Sequence, residues 1–473
     1  FDITKLRYHR VVIMTDADSV TGDTPILVYD KNKSLYSLVD IGAFVDGCVS
    51  PKNYEVLACD NNNKSVEQKQ LVDVVKHRRR TPIYEITTQY GYKIKVTAWH
   101  SVYVAGQDGL LEKRGDQIKT GDALVFPRAL PSQSKHLTID LIGAAMLHAN
   151  DLAIVIPKIA LKALPETAWV NLAQEEWCQL QKQRELQGIS RFAMADKVGV
   201  YKTVVQQWET KIDNVLPRAN QFRSYLSHLN WRGQYAISAF VPLADWSKPL
   251  SSDISLAYKN HSDIVPAAID LDENLAYLLG WYLGDGCFSS TKSSPNRFIL
   301  SLGGDKNFAY FARLENILRK YLKAHAVKTM NGTCHEIHFH SFTFRLLLET
   351  LGLLGKKAQE KFVPDQLFNV ADEIKMAFLQ GLLESDGAVV LSFAKTRKVF
   401  FGHTTCSRRL ADGIITLYRQ MGIFPAVSCR PPHAHTSKGI TYRGNFDRYD
   451  VIITTKEQLS KMSLVWKNHK NAE

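Results

Sequence analysis

From residue 19 to about 130 the apolar positions fall in short runs broken by polar and turn residues. This spacing predicts strands at Ile26–Tyr29 and Tyr54–Ala58, and a hairpin with arms Ile83–Thr87 and Tyr92–Thr97 turning near Tyr90 and Gly91. Further strands are expected at Ser101–Val104 and Thr120–Phe126, and Leu35–Val39 reads as a short helix. Closely spaced short strands imply a compact all-β unit. Upstream, Val11–Met14 is a short apolar run with the character of a buried parallel strand. Pro131–Lys135 has linker composition. Beyond it, a helix carrying Phe192, Ala195 and Val198 on its core side is broken by Gly199. A second helix then places Val200, Val204, Val205 and Trp208 on one side.

After residue 261 one grammar occurs twice, about 100 residues apart: Leu278–Gly286 and Leu379–Gly387. Each is an apolar helix with small residues four apart, Gly280 and Gly284 in one, Gly381 and Ser385 in the other, and each ends in Asp-Gly. Small residues at that spacing let helix backbones approach closely. The pair is expected to lie side by side and bring Asp285 and Asp386 to one end. Two carboxylates held close repel unless a cation sits between them, so the expected occupant is Mg2+ or Mn2+, with phosphodiester hydrolysis as the chemistry. Strand-like runs follow both helices, at Arg297–Leu302, Glu336–His340, Val389–Phe393 and Asp450–Thr454. His338 and His340 alternate on one of them and read as strand residues, not zinc ligands.

Composition narrows the picture. A chain of 473 residues with 45% hydrophobic and 22% charged residues is globular and long enough for two to four domains. A net charge of +12 favours a polyanionic partner such as nucleic acid, although a basic enzyme without one carries similar charge. No apolar run reaches membrane-spanning length and the first residues lack signal-peptide character, so no membrane partner and a cytoplasmic location are expected. Seven scattered cysteines without a C-x-x-C pair argue against a disulfide framework or a zinc ribbon.

Several stretches resemble known families. Leu6–Asp18 resembles the metal-binding strand of DNA gyrase B subunits. Asp16 and Asp18 share one face of its end, a seat for Mg2+ that this host segment would use only once the insert had left. Ser19–Ile26 resembles the opening of an intein, and Thr97-Ala98-Trp99-His100 matches the T-x-x-H motif of the all-β Hint splicing fold. The segment Lys119–Asp122 is similar to a later strand of that fold. The resemblance implies that the Ser19 hydroxyl attacks the Asp18 carbonyl. Thr97 would hold the scissile peptide, and His100 would protonate the leaving nitrogen.

The segment about 187–212 resembles a repressor-type helix-turn-helix, with Tyr201, Lys202, Thr203, Gln206 and Gln207 as its DNA-facing side; the alternative is a plain helical hairpin. The paired Asp-Gly helices resemble LAGLIDADG (DOD-type) homing endonucleases. That resemblance implies Lys361, in Lys361-Phe362-Val363-Pro364, as a transition-state lysine. It also implies phosphate contacts from Lys395, Arg397, Lys398, Arg408, Arg409 and Arg430. The basic run Lys76–Arg80 reads as a solvated loop first and a DNA contact second.

The expected architecture is therefore multidomain α+β. It consists of a gyrase B fragment at 1–18, an incomplete Hint splicing region at 19–130, a helix-turn-helix connector at 131–260, and a duplicated αββαββα LAGLIDADG endonuclease at 261–473. The expected partner is double-stranded DNA at the uninterrupted gyrase B site, cut by a monomeric enzyme. The stretch Trp466–Glu473 carries no His-Asn followed by Ser, Thr or Cys, so the C-terminal splicing piece is expected either further along the chain or on a separate polypeptide that acts as a partner in trans. Rival expectations are a DNA-binding relic with a dead nuclease, and the host type II topoisomerase B subunit.

Overall fold

The computed structural model describes residues 19–60, 65–77, 81–107, 109–210, 215–231, 237–246, 250, 254–258, 263–303, 308–392, 398–432, 434–437 and 440–461. Asp16, Asp18, Lys395, Arg397 and the chain end around Trp466 lie outside them. Among the described residues no helix is long and apolar enough to cross a membrane. The contacts divide the chain into two compact units that do not follow the linear order. One takes 19–136, 272–286 and 356–461; the other takes 137–271 and 287–355.

The first unit opens with a four-stranded antiparallel sheet in the spatial order Leu35–Asp40, Pro25–Asp30, Tyr54–Asp60, Ser65–Gln70. The expected helix at Leu35–Val39 is instead a strand. It pairs Val39 with Ile26 and Ser37 with Val28 across a turn in which Asp30 Oδ1 accepts the amides of Asn32 and Lys33. Cross-strand pairing outweighs local preference, and the helix forms only afterwards, at Ile41–Gly47. Two hairpins follow, Ile83–Thr87 with Lys93–Thr97 and Ser101–Gly106 with Gly109–Arg114. Thr120–Phe126 is not a strand. Asp122 bonds back to the Lys119 amide at 2.8 Å, and only Leu124 bridges to Val104.

The same unit contains the helix pair Glu273–Asp285 and Asp372–Asp386. It also holds an antiparallel sheet in the order Gly387–Ser392, Lys398–Thr405, Arg448–Ile453, Ala426–Arg430. The helix Arg408–Gln420 covers that sheet with Leu410, Ile414, Leu417 and Tyr418. The β-rich part is sealed to these elements by specific bonds. The Asn369 side chain accepts the Tyr36 amide at 2.6 Å and donates to the Tyr36 carbonyl at 2.9 Å, imitating the next strand at that edge. At the tip of the first hairpin the Val427 amide donates to Tyr90 O at 2.7 Å. There a methyl on Gly91 would come within 1.7 Å of Val427 O.

The second unit has a five-stranded antiparallel sheet that the sequence pattern did not reveal. Its order is Trp169–Asn171, Ile237–Pro242, Leu152–Ile159, Ser255–Tyr258, Asp263–Pro266. Four helices pack about Trp177, Trp208, Phe222 and Tyr225: Gln174–Leu186, Arg191–Val198, Lys202–Thr210 and Ala219–His228. Their buried charge is balanced locally. Glu209 accepts from Arg184 at 2.6 and 3.0 Å, from Arg191 at 2.7 Å and from Tyr225 at 2.8 Å. The unit also holds the strands Arg297–Gly303, Cys334–His340 and Val327–Asn331, whose inner face is formed by Phe298, Leu300, Ile337 and Phe339.

Along the chain, the order helix, two strands, helix, two strands, helix occurs twice after residue 272. The second copy carries an extra hairpin, Ala434–Ser437 with Ile440–Arg443.

Candidate functional site

The helices Glu273–Asp285 and Asp372–Asp386 touch backbone to backbone. A methyl at Gly280 would lie 2.0 Å from Phe378 O, and one at Gly381 would lie 2.1 Å from Tyr277 O. The contact is nearly symmetric and continues to the C-terminal ends. There a methyl at Gly284 would meet Ser385 Oγ at 1.9 Å and the Asp386 amide nitrogen at 3.3 Å. Asp285 and Asp386 are the last residues of the two helices and so stand at neighbouring ends. Asp285 is half-buried and Asp386 exposed. Two carboxylates beside two helix C-termini, each a centre of partial negative charge, form a donor set suited to a hard divalent cation. Asp285 and Asp386 are the residues that would hold it.

Lys361 adjoins this end. Its ammonium is buried and donates to the carbonyls of Leu283 at 2.8 Å, Gly284 at 3.2 Å and Gly286 at 3.4 Å. It therefore answers the exposed carbonyls of the first helix directly before and after Asp285. A second buried group was not singled out by sequence. Glu384, 1% exposed, accepts from Tyr277 Oη at 2.6 Å and from Gln380 at 2.8 Å. It pins one helix to the other two residues before Asp386. The only signal was an acid inside an apolar run.

The splice-type residues meet in the β-rich part. The Ser19 amide donates to Thr97 Oγ1 at 3.1 Å, and the Thr97 amide donates to Ser19 O at 2.9 Å. Thr97 therefore holds the nitrogen of the Asp18–Ser19 peptide. His100 closes the same turn. Its amide donates to Thr97 O, and its carbonyl accepts the Gly115 amide at 2.8 Å. Gly115 is packed against this turn, where a methyl would come within 2.7 Å of Thr97 O. The Arg114 guanidinium lies 3.3 Å from the Trp99 ring centroid.

A cavity of about 810 Å3 lies between this region and the Arg408–Gln420 helix, with Ile26, Leu38, Phe44, Val56, Leu71 and Ile415 in its wall. On its polar side Asp412 is raised to about 6 by burial. Asp23 is held below the usual carboxylate range by the Thr21 hydroxyl and Arg408.

The remaining expected contacts are dispersed. Tyr201, Lys202, Thr203 and Gln206 are exposed and Gln207 half-buried on or beside the helix Lys202–Thr210. This helix follows Arg191–Val198 through Gly199 at φ +77°. Phe192 is 72% exposed and not on the core side, because Met194 and Ala195 set the helix phase toward Trp208. Lys398 begins the strand Lys398–Thr405. Arg408 bonds Asp23, Arg409 stacks on Phe362 and Arg430 pairs with Asp450. His338 bonds Glu336 at 2.7 Å and Arg297 at 2.8 Å.

Chains of the homing endonuclease I-DmoI resemble this one at a TM-score of 0.30 and 15% identity, over 42% of this chain and 92% of theirs. The N-terminal LAGLIDADG domain of DUF199/WhiA does so at 0.27 and 13%, over 41% and 82%. A DNA polymerase of Thermococcus sp. (strain GE8) is 24% identical over 453 residues, 88% of this chain and 25% of the polymerase. The replicative DNA helicase DnaB of Nostoc sp. is 33% identical over 112 residues, 24% of this chain and 12% of the helicase. The chain thus spans about a quarter of the length of that polymerase. A family model described as the intein splicing domain matches residues 26–468, and the chain belongs to that family.

Proposed function

We propose that this chain is an intein hosted in a DNA gyrase B subunit, and that it carries a site-specific endonuclease which cuts double-stranded DNA at the uninterrupted host gene. The observation that carries the nuclease reading is the close approach at Gly284, which sets Asp285 and Asp386 on adjoining helix ends. These two carboxylates would hold Mg2+ or Mn2+. Bound there, such an ion would polarise a phosphoryl oxygen and lower the pKa of water. The chain's own residues supply the rest. Glu384 and Tyr277 fix the helix register, Lys361 steadies the helix end that bears Asp285, and the exposed face of Tyr201, Lys202, Thr203 and Gln206 takes DNA in the manner of a helix-turn-helix. Lys361 also brings positive charge to the place where a phosphodiester would lie.

The splicing reading rests on Thr97 and Ser19. A hydroxyl that grips the scissile nitrogen keeps the Asp18–Ser19 peptide in place while the Ser19 hydroxyl attacks it, with His100 as the proton donor. Residues 1–18 then belong to the host, where Asp16 and Asp18 act only after splicing. The cytoplasm is the proposed location.

The purified chain with Mg2+ should cut DNA spanning the uninterrupted gyrase B gene. Asp285→Ala or Asp386→Ala should reduce cutting by about a thousandfold, the equivalent of several kcal/mol of lost charge stabilisation. Salt-sensitive binding without cutting by the wild-type chain would select the DNA-binding relic instead.

A further inference from the structure

We infer that Arg408, on the nuclease-side helix Arg408–Gln420, is the positioning residue for the splice-site serine. The inference rests on the splicing reading of Ser19. The turn that follows Ser19 is held on three sides. Along the strand Lys93–Thr97, Thr97 N donates to Ser19 O at 2.9 Å, Val20 bridges Val96, and Thr21 N donates to Lys95 O at 3.1 Å. At the start of the helix Ile41–Gly47, the amides of Gly42 and Ile41 donate to Gly22 O and Thr24 O, each at 2.9 Å. The Gly22 and Gly42 backbones are so close that a methyl on Gly42 would come within 3.0 Å of Gly22 Cα.

The third side is Arg408. Its Nη1 donates to Asp23 Oδ2 at 2.9 Å and its Nη2 to the Asp23 carbonyl, so the guanidinium fork takes both side chain and backbone of one residue. Asp412, one helical turn on, holds Arg408 Nε at 3.5 Å and aims the fork, and Lys95 adds a second cation to Asp23 at 3.7 Å. A half-exposed ion pair contributes little to global stability. What this one does is fix four residues of chain leading out of the nucleophile. The helix Arg408–Gln420 then takes part in holding the splice-site turn.

The acyl shift gives a direct readout. Ser19 Oγ attacks the Asp18 carbonyl carbon, the bond to the Ser19 nitrogen breaks as the ester bond forms, and the hydroxyl proton ends on the freed amine. Hydroxylamine then takes the acyl group, releasing residues 1–18 as the Asp18 hydroxamate and restoring the Ser19 hydroxyl. Release from the full chain is followed by mass spectrometry, with Ser19→Ala as the blank. Arg408→Ala should slow it by about tenfold, inside the loss that misplacing a reacting group produces. Arg408→Lys should recover most of the rate, and Asp23→Ala added to Arg408→Ala should slow it no further.

Amide hydrogen exchange supplies a second readout. Arg408→Ala should accelerate exchange across 19–24 and 93–98 while leaving 273–285 unchanged. Equal release and equal exchange in wild type and Arg408→Ala overturn the inference. A wild-type chain that releases nothing above the blank overturns the acyl-shift reading, and exchange then decides separately whether Arg408 holds the turn.

Discussion

The helix pair that bears Asp285 and Asp386 and the β-rich splicing part are held together in opposite ways. Nine of thirteen residues in Glu273–Asp285 and ten of fifteen in Asp372–Asp386 are buried, and the two helices interlock through Gly280 and Gly381. The splicing part buries few apolar side chains, Val28, Tyr36, Ile86, Val96 and Val104, while Val49, Val72, Trp99 and Leu111 face outward. Its order comes from polar bonds that reach to distant chain, at Asn369, Asp365 and Arg408. The helix pair supplies its own core, whereas the sheet borrows its frame. Substitutions in the pair should therefore act on the whole unit, and those at the borrowed contacts should act locally.

The largest effect is expected at Gly381. Gly381→Val places carbon into the Tyr277 carbonyl and should destabilise the first unit by about 3 kcal/mol or more, read as a lower urea midpoint. A midpoint close to wild type would break the comparison.

A smaller effect of the opposite sign is expected at Asp412, whose folded pKa is raised by burial to about 6. Below about pH 3 both folded and unfolded forms carry the proton, and the group makes little difference. As pH rises to 6 the unfolded form loses its proton first, so stability falls, and above 6 the full penalty stands. Asp412→Asn should be more stable than wild type by about 2 kcal/mol at pH 8, with the gain fading toward pH 4. Equal gains at both pH values would contradict this.

The smallest effect sharpens the contrast. Asn369→Ala should lower stability by about 1 kcal/mol and speed amide exchange at Tyr36–Leu38 without changing exchange in the helix pair.

What could be read from sequence follows the same division. The Asp-Gly helices announce themselves because an apolar helix with small residues four apart has one sensible use, and Gly280 and Gly381 meet backbone as that spacing requires. The hairpin that delivers Thr97 was also legible from its alternation and from Gly91. Leu35–Val39 was not, because its partner strand and the Asn369 amide that decides its state lie elsewhere in the chain. The five-stranded sheet of the second unit escaped for the same reason. Its strands join residues 152–266 out of order, and helices interrupt the pattern. The Arg408 partner was not legible, because a basic side chain on a helix carries no sign of the carboxylate it will find 385 residues away. Lys361 is similar. Its resemblance to a family motif marks the residue, but nothing in the sequence marks the carbonyls around its ammonium.

The interleaving of the first unit has a consequence for the chain as it is made. Residues 19–136 share their unit with segments that begin at 272 and 356, so 219 residues lie between the end of the first piece and the start of the last. At ordinary translation speeds of about 5–20 residues per second, the emerging sheet waits roughly twelve to fifty-five seconds for Asn369 and Arg408 to be added. For that interval it presents an open edge and an uncovered wall to whatever else is nearby.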